Sequence, residues 1–193
     1  MATAPKPGEK KLQILQTIAQ ALEAPDGEKV TTALLARKLD VSEAALYRHF
    51  ASKAQMFEGL IEFIESSLFS VINKIADEEE SGIKQVELIM VTLLAFAQKN
   101  RGLTRVLVGD ALVHENPRLQ TRINQLLDRV ETSIKQALRV AATQGALPDG
   151  HDFAAHADAL ICHALGRWHR FVKSGFKEDP LAAWPAQWPL LAR

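Results

Sequence analysis

Residues 31–50 read TTALLARKLDVSEAALYRHF, and this stretch decides the fold. Two short helix-forming runs, at about Thr32–Leu39 and Glu43–Phe50, flank a turn at Asp40, a residue type that tolerates a left-handed backbone. Ser42 precedes the second run, where its hydroxyl can cap free helix amides. The apolar side chains expected to face inward are Leu35, Ala36, Leu39, Val41, Leu46 and Phe50. This spacing predicts a helix-turn-helix.

The second helix of such a motif lies in a DNA major groove, with its N-terminal side chains next to base edges. In this chain those residues are Ser42, Glu43, Ala44 and Ala45. Alanine methyls can contact thymine methyls, and a glutamate can accept a hydrogen bond from cytosine. The residues expected to reach phosphates are Thr31, Thr32, Tyr47, Arg48, His49 and Lys53. The motif therefore predicts binding to double-stranded DNA, although Glu43 could instead face solvent and Tyr47 could be partly core.

The rest of the chain is predicted to be helical, because apolar residues recur at every third or fourth position without a strand pattern. Helical segments are expected at about Glu9–Glu23, Ser52–Ala76, Ile83–Lys99, Leu103–His114, Arg118–Gln144 and Asp152–Ser174. Pro25 and Gly27 should end the first of them, and Gly145 should end the fifth. The first helix is expected to bury Leu12, Leu15, Ile18, Ala19 and Leu22. We therefore expect an all-α chain, with a DNA-binding domain at 1–55 and a helical dimerisation and partner-binding domain at 56–193.

The distribution of charge also fits a DNA-binding head. The formal net charge is zero over the chain, but residues 1–55 carry +2, residues 56–80 carry −6 and residues 81–193 carry +4. DNA would attract the head and repel the acidic block, which orients the protein on the duplex. No signal peptide, membrane anchor or membrane-length apolar run is visible, and a single cysteine, Cys162, fits a reducing compartment. We expect a soluble cytoplasmic protein.

Metal binding and catalysis are not expected. His156, His163 and His169 lie on one predicted helix with Cys162, but no pair has the spacing of three or four residues that places two ligands side by side. The sequence also contains no glycine-rich phosphate loop and no nucleophile in a known motif. We therefore expect no cofactor and no enzymatic activity.

The tract VSEAALYRHFASKAQMF, at 41–57, resembles the DNA-binding head of the TetR family of bacterial regulators. This resemblance implies a three-helix head, a long fourth helix as linker, and a larger helical body that forms a homodimer on a palindromic DNA site. It places the dimer interface on the last two long helices, where we expect Leu165, Trp168 and Phe171 to lie.

Other tracts are similar to the nucleoid occlusion branch of that family. They are LIEFIESSL at 60–68, GLTRVLVGDAL at 102–112, RLQTRINQLLDRVE at 118–131 and RFVKSGFK at 170–177. The resemblance implies that the DNA-bound dimer, located at the nucleoid, antagonises polymers of the division protein FtsZ and blocks septum formation. The positions that it assigns to the FtsZ-facing surface are Phe63, Val71, Thr92, Ala95, Lys99 and Asn100. Phe63 and Asn100 match the branch, Lys99 replaces an arginine, and the other three depart from it.

A ligand-responsive TetR repressor is the alternative, since it would carry the same head. Such a repressor needs a sizeable closed cavity among the body helices. A division factor needs no small-molecule inducer, so its body should be filled by large side chains. The side chains expected to fill it are Phe96, Leu103, Leu107, Leu126 and Phe153.

Overall fold

The structure is a computed structural model that describes residues 7–24 and 30–192. Within these ranges the chain forms nine α-helices and one short 3-10 helix, Asp110–Leu112, and no strand. The α-helices are α1 Pro7–Leu22, α2 Thr32–Lys38, α3 Glu43–Tyr47, α4 Lys53–Glu78, α5 Gly82–Lys99, α6 Arg101–Leu107, α7 Pro117–Thr143, α8 Phe153–Lys173 and α9 Trp184–Leu191. The all-α prediction is confirmed. The break expected at Pro25 and Gly27 lies outside the described residues.

Side-chain caps fix where several helices begin. The hydroxyl of Ser52 accepts a hydrogen bond from the Gln55 amide at 3.2 Å, so α4 begins where the sequence predicted it. Asp152 starts α8 by accepting from the amides of Ala155 and Ala154, and these two bonds lower the pKa of its carboxyl group. Gly145 ends α7 with a positive φ of 74°, as expected for a C-terminal glycine.

The first helix buries Ile18 and Leu22 and half-buries Leu15 and Ala19, as predicted, but it differs from the prediction at Ile14 and Leu12. Ile14 and Ile18 are fully buried, whereas Leu12 is 47% exposed. The prediction for Leu12 is wrong because α1 packs on both α4 and α6, which turns the Ile14 side of the helix inward. The Leu12 side of α1 is left partly open and borders a groove.

The joint between α1 and α6 is unusually close. A Cβ added at Gly102 would overlap the carbonyl oxygen of Ala19 and lie 3.1 Å from the Cβ of Leu22. The guanidinium of Arg105 donates to the carbonyls of Leu22 and Ala24, each at 3.3 Å, and thereby satisfies free carbonyls at the end of α1. One continuous hydrophobic cluster includes side chains from both sides of this joint. The first helix is therefore fixed to the body.

Two of the three expected dimer-interface residues are buried by side chains of their own chain. Trp168 is 1% exposed, and its indole N–H donates to the Leu93 carbonyl at 3.2 Å. Phe171 is buried and packs edge-on against Phe176, with ring centroids 5.2 Å apart. These two aromatics have little exposed area left for a partner subunit, and their place near the dimer interface stays a prediction. Leu165 is half-buried and remains available.

Two histidines of α8 are involved in packing: His156 is hydrogen-bonded and His163 is partly buried. His156 donates from Nε2 to the Leu191 carbonyl at 2.6 Å, and its Nδ1 lies 2.8 Å from Nε2 of His151. These contacts attach α9 to the start of α8. Burial lowers the pKa of His163, and the nearby Arg167 guanidinium adds to this effect. In the part of the chain that the structure describes, no three His, Cys, Asp or Glu side chains are grouped to hold a metal ion.

The body is packed by the side chains that the sequence indicated. Leu103, Leu107 and Leu126 are buried, while Phe96 and Phe153 are partly buried against the same core.

Arginine side chains of α7 form ion pairs with the acidic face of α4. Arg122 and Arg129 pair with Glu65 at 2.8 and 3.5 Å, so part of the acidic block is neutralised by the body.

Candidate nucleic-acid interface and partner groove

The helix-turn-helix is held by its turn and its buried face. Asp40 has a positive φ of 52°, and the Val41 amide donates to the Ala36 carbonyl at 3.0 Å. Leu35 and Leu46 pack inward with 0% and 1% exposure. The opposite face of α3 is exposed.

The expected base-reading residues lie together at the start of α3. Ser42, Glu43 and Ala44 are exposed, and Ala45 is half-buried. The Ser42 hydroxyl accepts from the Ala45 amide at 3.2 Å, so it also caps the helix. The carboxylate of Glu43 accepts a hydrogen bond from the Thr32 hydroxyl at 2.5 Å. This bond holds Glu43 toward α2 and occupies the Thr32 hydroxyl that was expected to reach phosphate.

The other expected phosphate contacts surround this face. Tyr47 is 45% exposed, Arg48 is exposed and His49 is half-buried. The Thr31 hydroxyl accepts from the Leu34 amide at 3.1 Å and caps α2, and its own hydroxyl proton can still donate. Tyr47 and Arg48 are therefore both accessible to a ligand.

Lys53 lies at the start of α4 but does not point freely toward DNA. Its ammonium group forms an ion pair with Glu115, which is in the turn before α7. The same ammonium lies 5.5 Å from the centre of the Phe57 ring. The sequence placed Lys53 among the phosphate contacts, but gave no sign of a partner 62 residues away.

A groove of about 280 Å³ separates the exposed edge of α1 from α4 and the junction of α5 with α6. Three of the six positions assigned to the partner surface line this groove, namely Phe63, Lys99 and Asn100. Phe63 is 44% exposed, and the Asn100 side chain donates to the Phe96 carbonyl at 2.8 Å. The arrangement is a largely apolar trough whose polar lining side chains are Gln16, Gln20, Glu23, Lys99 and the fixed amide of Asn100.

The other three positions are not among the residues that line the groove. Val71 is exposed about two turns further along α4. The Thr92 hydroxyl donates to the Leu88 carbonyl at 2.7 Å, and Ala95 is half-buried. Sequence reasoning also missed the wall that α1 contributes, which is formed by Leu12, Leu15, Gln16, Ala19, Gln20 and Glu23. The exposed apolar side chain of Leu12 is the feature that reveals it.

These features define a TetR-type regulator that binds DNA through a helix-turn-helix head. The family described as bacterial regulatory proteins, tetR family, matches residues 14–60. The SlmA-like family, described as Tetracyclin repressor-like, C-terminal domain, matches residues 80–193. The chain therefore belongs to the TetR family, and its C-terminal part is of the SlmA-like type.

Curated relatives place the chain within this family more narrowly. It is 48% identical over 188 residues to the nucleoid occlusion factor SlmA of Marinomonas sp., covering 97% of this chain and 95% of that protein. It is 50% identical over 194 residues to SlmA of Vibrio cholerae, covering 96% and 97% of the two chains. The chain is a member of the SlmA family of nucleoid occlusion factors.

Solved structures support the fold. A TetR transcription regulator from Haloarcula marismortui superimposes with a TM-score of 0.79 at 18% identity, covering 96% of this chain and 97% of that one. The fatty acid degradation regulator FadR of Bacillus halodurans gives 0.78 at 16% identity, with 100% and 97% covered. Across 7–24 and 30–192, no helix is long and apolar enough to cross a membrane.

Proposed function

We propose that this protein binds palindromic chromosomal DNA as a homodimer and, when bound, antagonises FtsZ polymers so that no septum forms over the nucleoid. The observation that supports the proposal most directly is the groove that contains Phe63, Lys99 and Asn100. The curated relatives of this chain also carry the name nucleoid occlusion factor. In this proposal the protein acts in the cytoplasm at the nucleoid and performs no catalysis.

In this proposal the head, residues 1–55, binds DNA, and the body, residues 56–193, forms the dimer and binds the partner. Ala44 and Ala45 would contact base edges, while Ser42 and Glu43 would lie beside them in the major groove. The proposed phosphate contacts are Thr31, Tyr47, Arg48, His49 and Lys53, together with the backbone amide of Thr32, whose hydroxyl donates to Glu43. One recognition helix gives little affinity, so two half-sites must be bound together.

The dimer is proposed to form along α8 beside Leu165. Small side chains recur on one exposed face of this helix, at Ala155, Ala159, Cys162 and Gly166. A Cβ added at Gly166 would meet nothing within 4 Å in the isolated chain. Small side chains at spacings of three and four residues let two helices approach closely.

The groove is proposed to hold an FtsZ segment. A partner that inserts an apolar side chain between Leu12 and Phe63 would remove apolar area from water, which is the main source of binding energy at such sites. Lys99 on one side of the groove would favour an acidic group of the partner, and Glu23 on the α1 wall would favour a basic one. Because α1 belongs to the head and α4 to the linker, the groove is positioned to respond to DNA.

Sedimentation of FtsZ polymers tests this function. The protein with a palindromic duplex, selected by this chain from a random library, should move FtsZ from the pellet to the supernatant. The protein with a scrambled duplex of equal length serves as the control and should release much less. Intact FtsZ polymers in the presence of DNA-bound protein would contradict the proposal.

The head is tested by Tyr47→Ala. Loss of a phosphate contact should weaken binding to specific and nonspecific duplexes alike, by about tenfold each, because phosphates carry no sequence information. Fluorescence anisotropy with both duplexes measures the effect. Val71→Ala, an exposed change in the body, should leave both affinities unchanged. An effect of Tyr47→Ala confined to one base position would assign that residue to base reading instead.

A further inference from the structure

The ion pair between Lys53 and Glu115 connects the head to the body across a long stretch of sequence. Both side chains are mostly covered, with 21% and 12% of their side-chain surface exposed. Lys53 is the first residue of α4, directly after the helix-turn-helix. Glu115 lies in the turn between the 3-10 helix and α7. Lys53 therefore has a carboxylate partner in the free protein at a position where a phosphate would bind in the complex.

A phosphate and the Glu115 carboxylate cannot both approach this ammonium group without cost. Two anions that share one cation repel each other, and the repulsion is larger where water is partly excluded. Separating a largely covered pair leaves the carboxylate uncompensated unless it moves into solvent. DNA can therefore use Lys53 fully only after Glu115 has released it.

The turn that carries Glu115 lies at the surface, so a released carboxylate has solvent to move into. Val113 is 60% exposed, and His114 is exposed with a left-handed φ of 69°. Glu58 and Arg118 form a neighbouring pair between α4 and α7 at 2.9 Å, so the helices stay connected when Glu115 leaves. Gly102 and Leu103 of α6, the helix that leads into this turn, line the partner groove.

We propose that Glu115 competes with DNA phosphate for Lys53, so that it restrains DNA binding and links the head to the groove-bearing body. This inference rests on the proposed phosphate contact of Lys53. It makes Glu115 a positioning residue that lowers DNA affinity in the free protein. Release of Glu115 is then the step by which DNA binding at the head affects α6 and the partner groove.

Glu115→Gln tests the competition, since glutamine keeps the shape but removes the charge. Affinity for the selected duplex should rise roughly threefold to tenfold, because a charged competitor of Lys53 has been removed. Glu58→Gln is the matched control, because it removes a carboxylate from a pair between the same parts of the chain. Its affinity change should stay below about twofold. Glu115→Asp keeps the charge and should stay near the wild-type affinity.

The Lys53→Met protein shows whether the change in DNA affinity caused by Glu115→Gln acts through Lys53. In Lys53→Met protein, Glu115→Gln should no longer change DNA affinity, since the two effects are coupled. Weaker binding by Glu115→Gln, unchanged binding, or tightening that persists in Lys53→Met would each overturn the proposal. If Lys53→Met binds DNA with wild-type affinity, Lys53 does not contact phosphate, and Glu115 then has no phosphate to compete with. The Tyr47→Ala result reports on the rest of the head independently.

Discussion

Phe63→Ala should abolish the release of FtsZ from polymers while leaving DNA affinity unchanged. Phe63 is 44% exposed at the edge of the groove and makes up its largest apolar side chain. Removing an aromatic side chain that anchors an interface costs about 2 kcal/mol or more, which is at least about a thirtyfold loss of affinity. Sedimentation of FtsZ with DNA-bound protein measures the function, and anisotropy with the selected duplex measures DNA binding.

Val71→Ala is the matched control on the same helix. Val71 is also exposed, at 42%, and was assigned to the same partner surface, but it does not line the groove. Its replacement should change FtsZ release by less than about threefold, in the range of a peripheral contact. Equal losses from both variants would show that the partner covers the whole outer face of α4. A loss from Val71→Ala alone would exclude the groove as the binding site.

Local signals explain why the head could be predicted from sequence. Ser42 and Ser52 cap helices through bonds to residues three positions away, and Asp40 supplies the left-handed turn. Gly145 ends α7 in the same local way. Each of these features depends on a few neighbouring residues, so the sequence contains all that determines them. The partner positions Phe63 and Asn100 were obtained from resemblance, and the structure brings them to one groove.

Long-range packing explains what the sequence did not reveal. Helical spacing marks an apolar face, but it does not say which side of α1 meets the body, and Leu12 was therefore misplaced. The apolar stripe of α8 could equally serve a core or a dimer, and the structure assigns Trp168 to the core through its bond to Leu93. The partner of Lys53 depends on a turn that only the folded chain brings close.

Gly102→Ala should destabilise the fold by about 3 kcal/mol, in the upper range for overpacking a buried contact. The added Cβ would overlap the Ala19 carbonyl oxygen and lie 2.9 Å from the Ala19 carbonyl carbon. These are backbone atoms of a helix, so they cannot move aside as a flexible side chain can. Relief requires α1 to shift away from α6, which also loosens the bonds from Arg105 to the end of α1. Urea unfolding followed by circular dichroism, at constant protein concentration, measures the change in the free energy of unfolding.

Gly8→Ala provides the comparison within α1. A Cβ at Gly8 meets nothing within 4 Å, so the same change should be neutral or stabilise the protein by up to about 1 kcal/mol through helix propensity. The contrast separates a steric effect at the joint from a general effect of replacing glycine. If Gly102→Ala unfolds at the wild-type urea concentration, α1 is not held against α6 in solution. The groove would then lack a fixed wall, and DNA could not act on the partner through the joint between head and body.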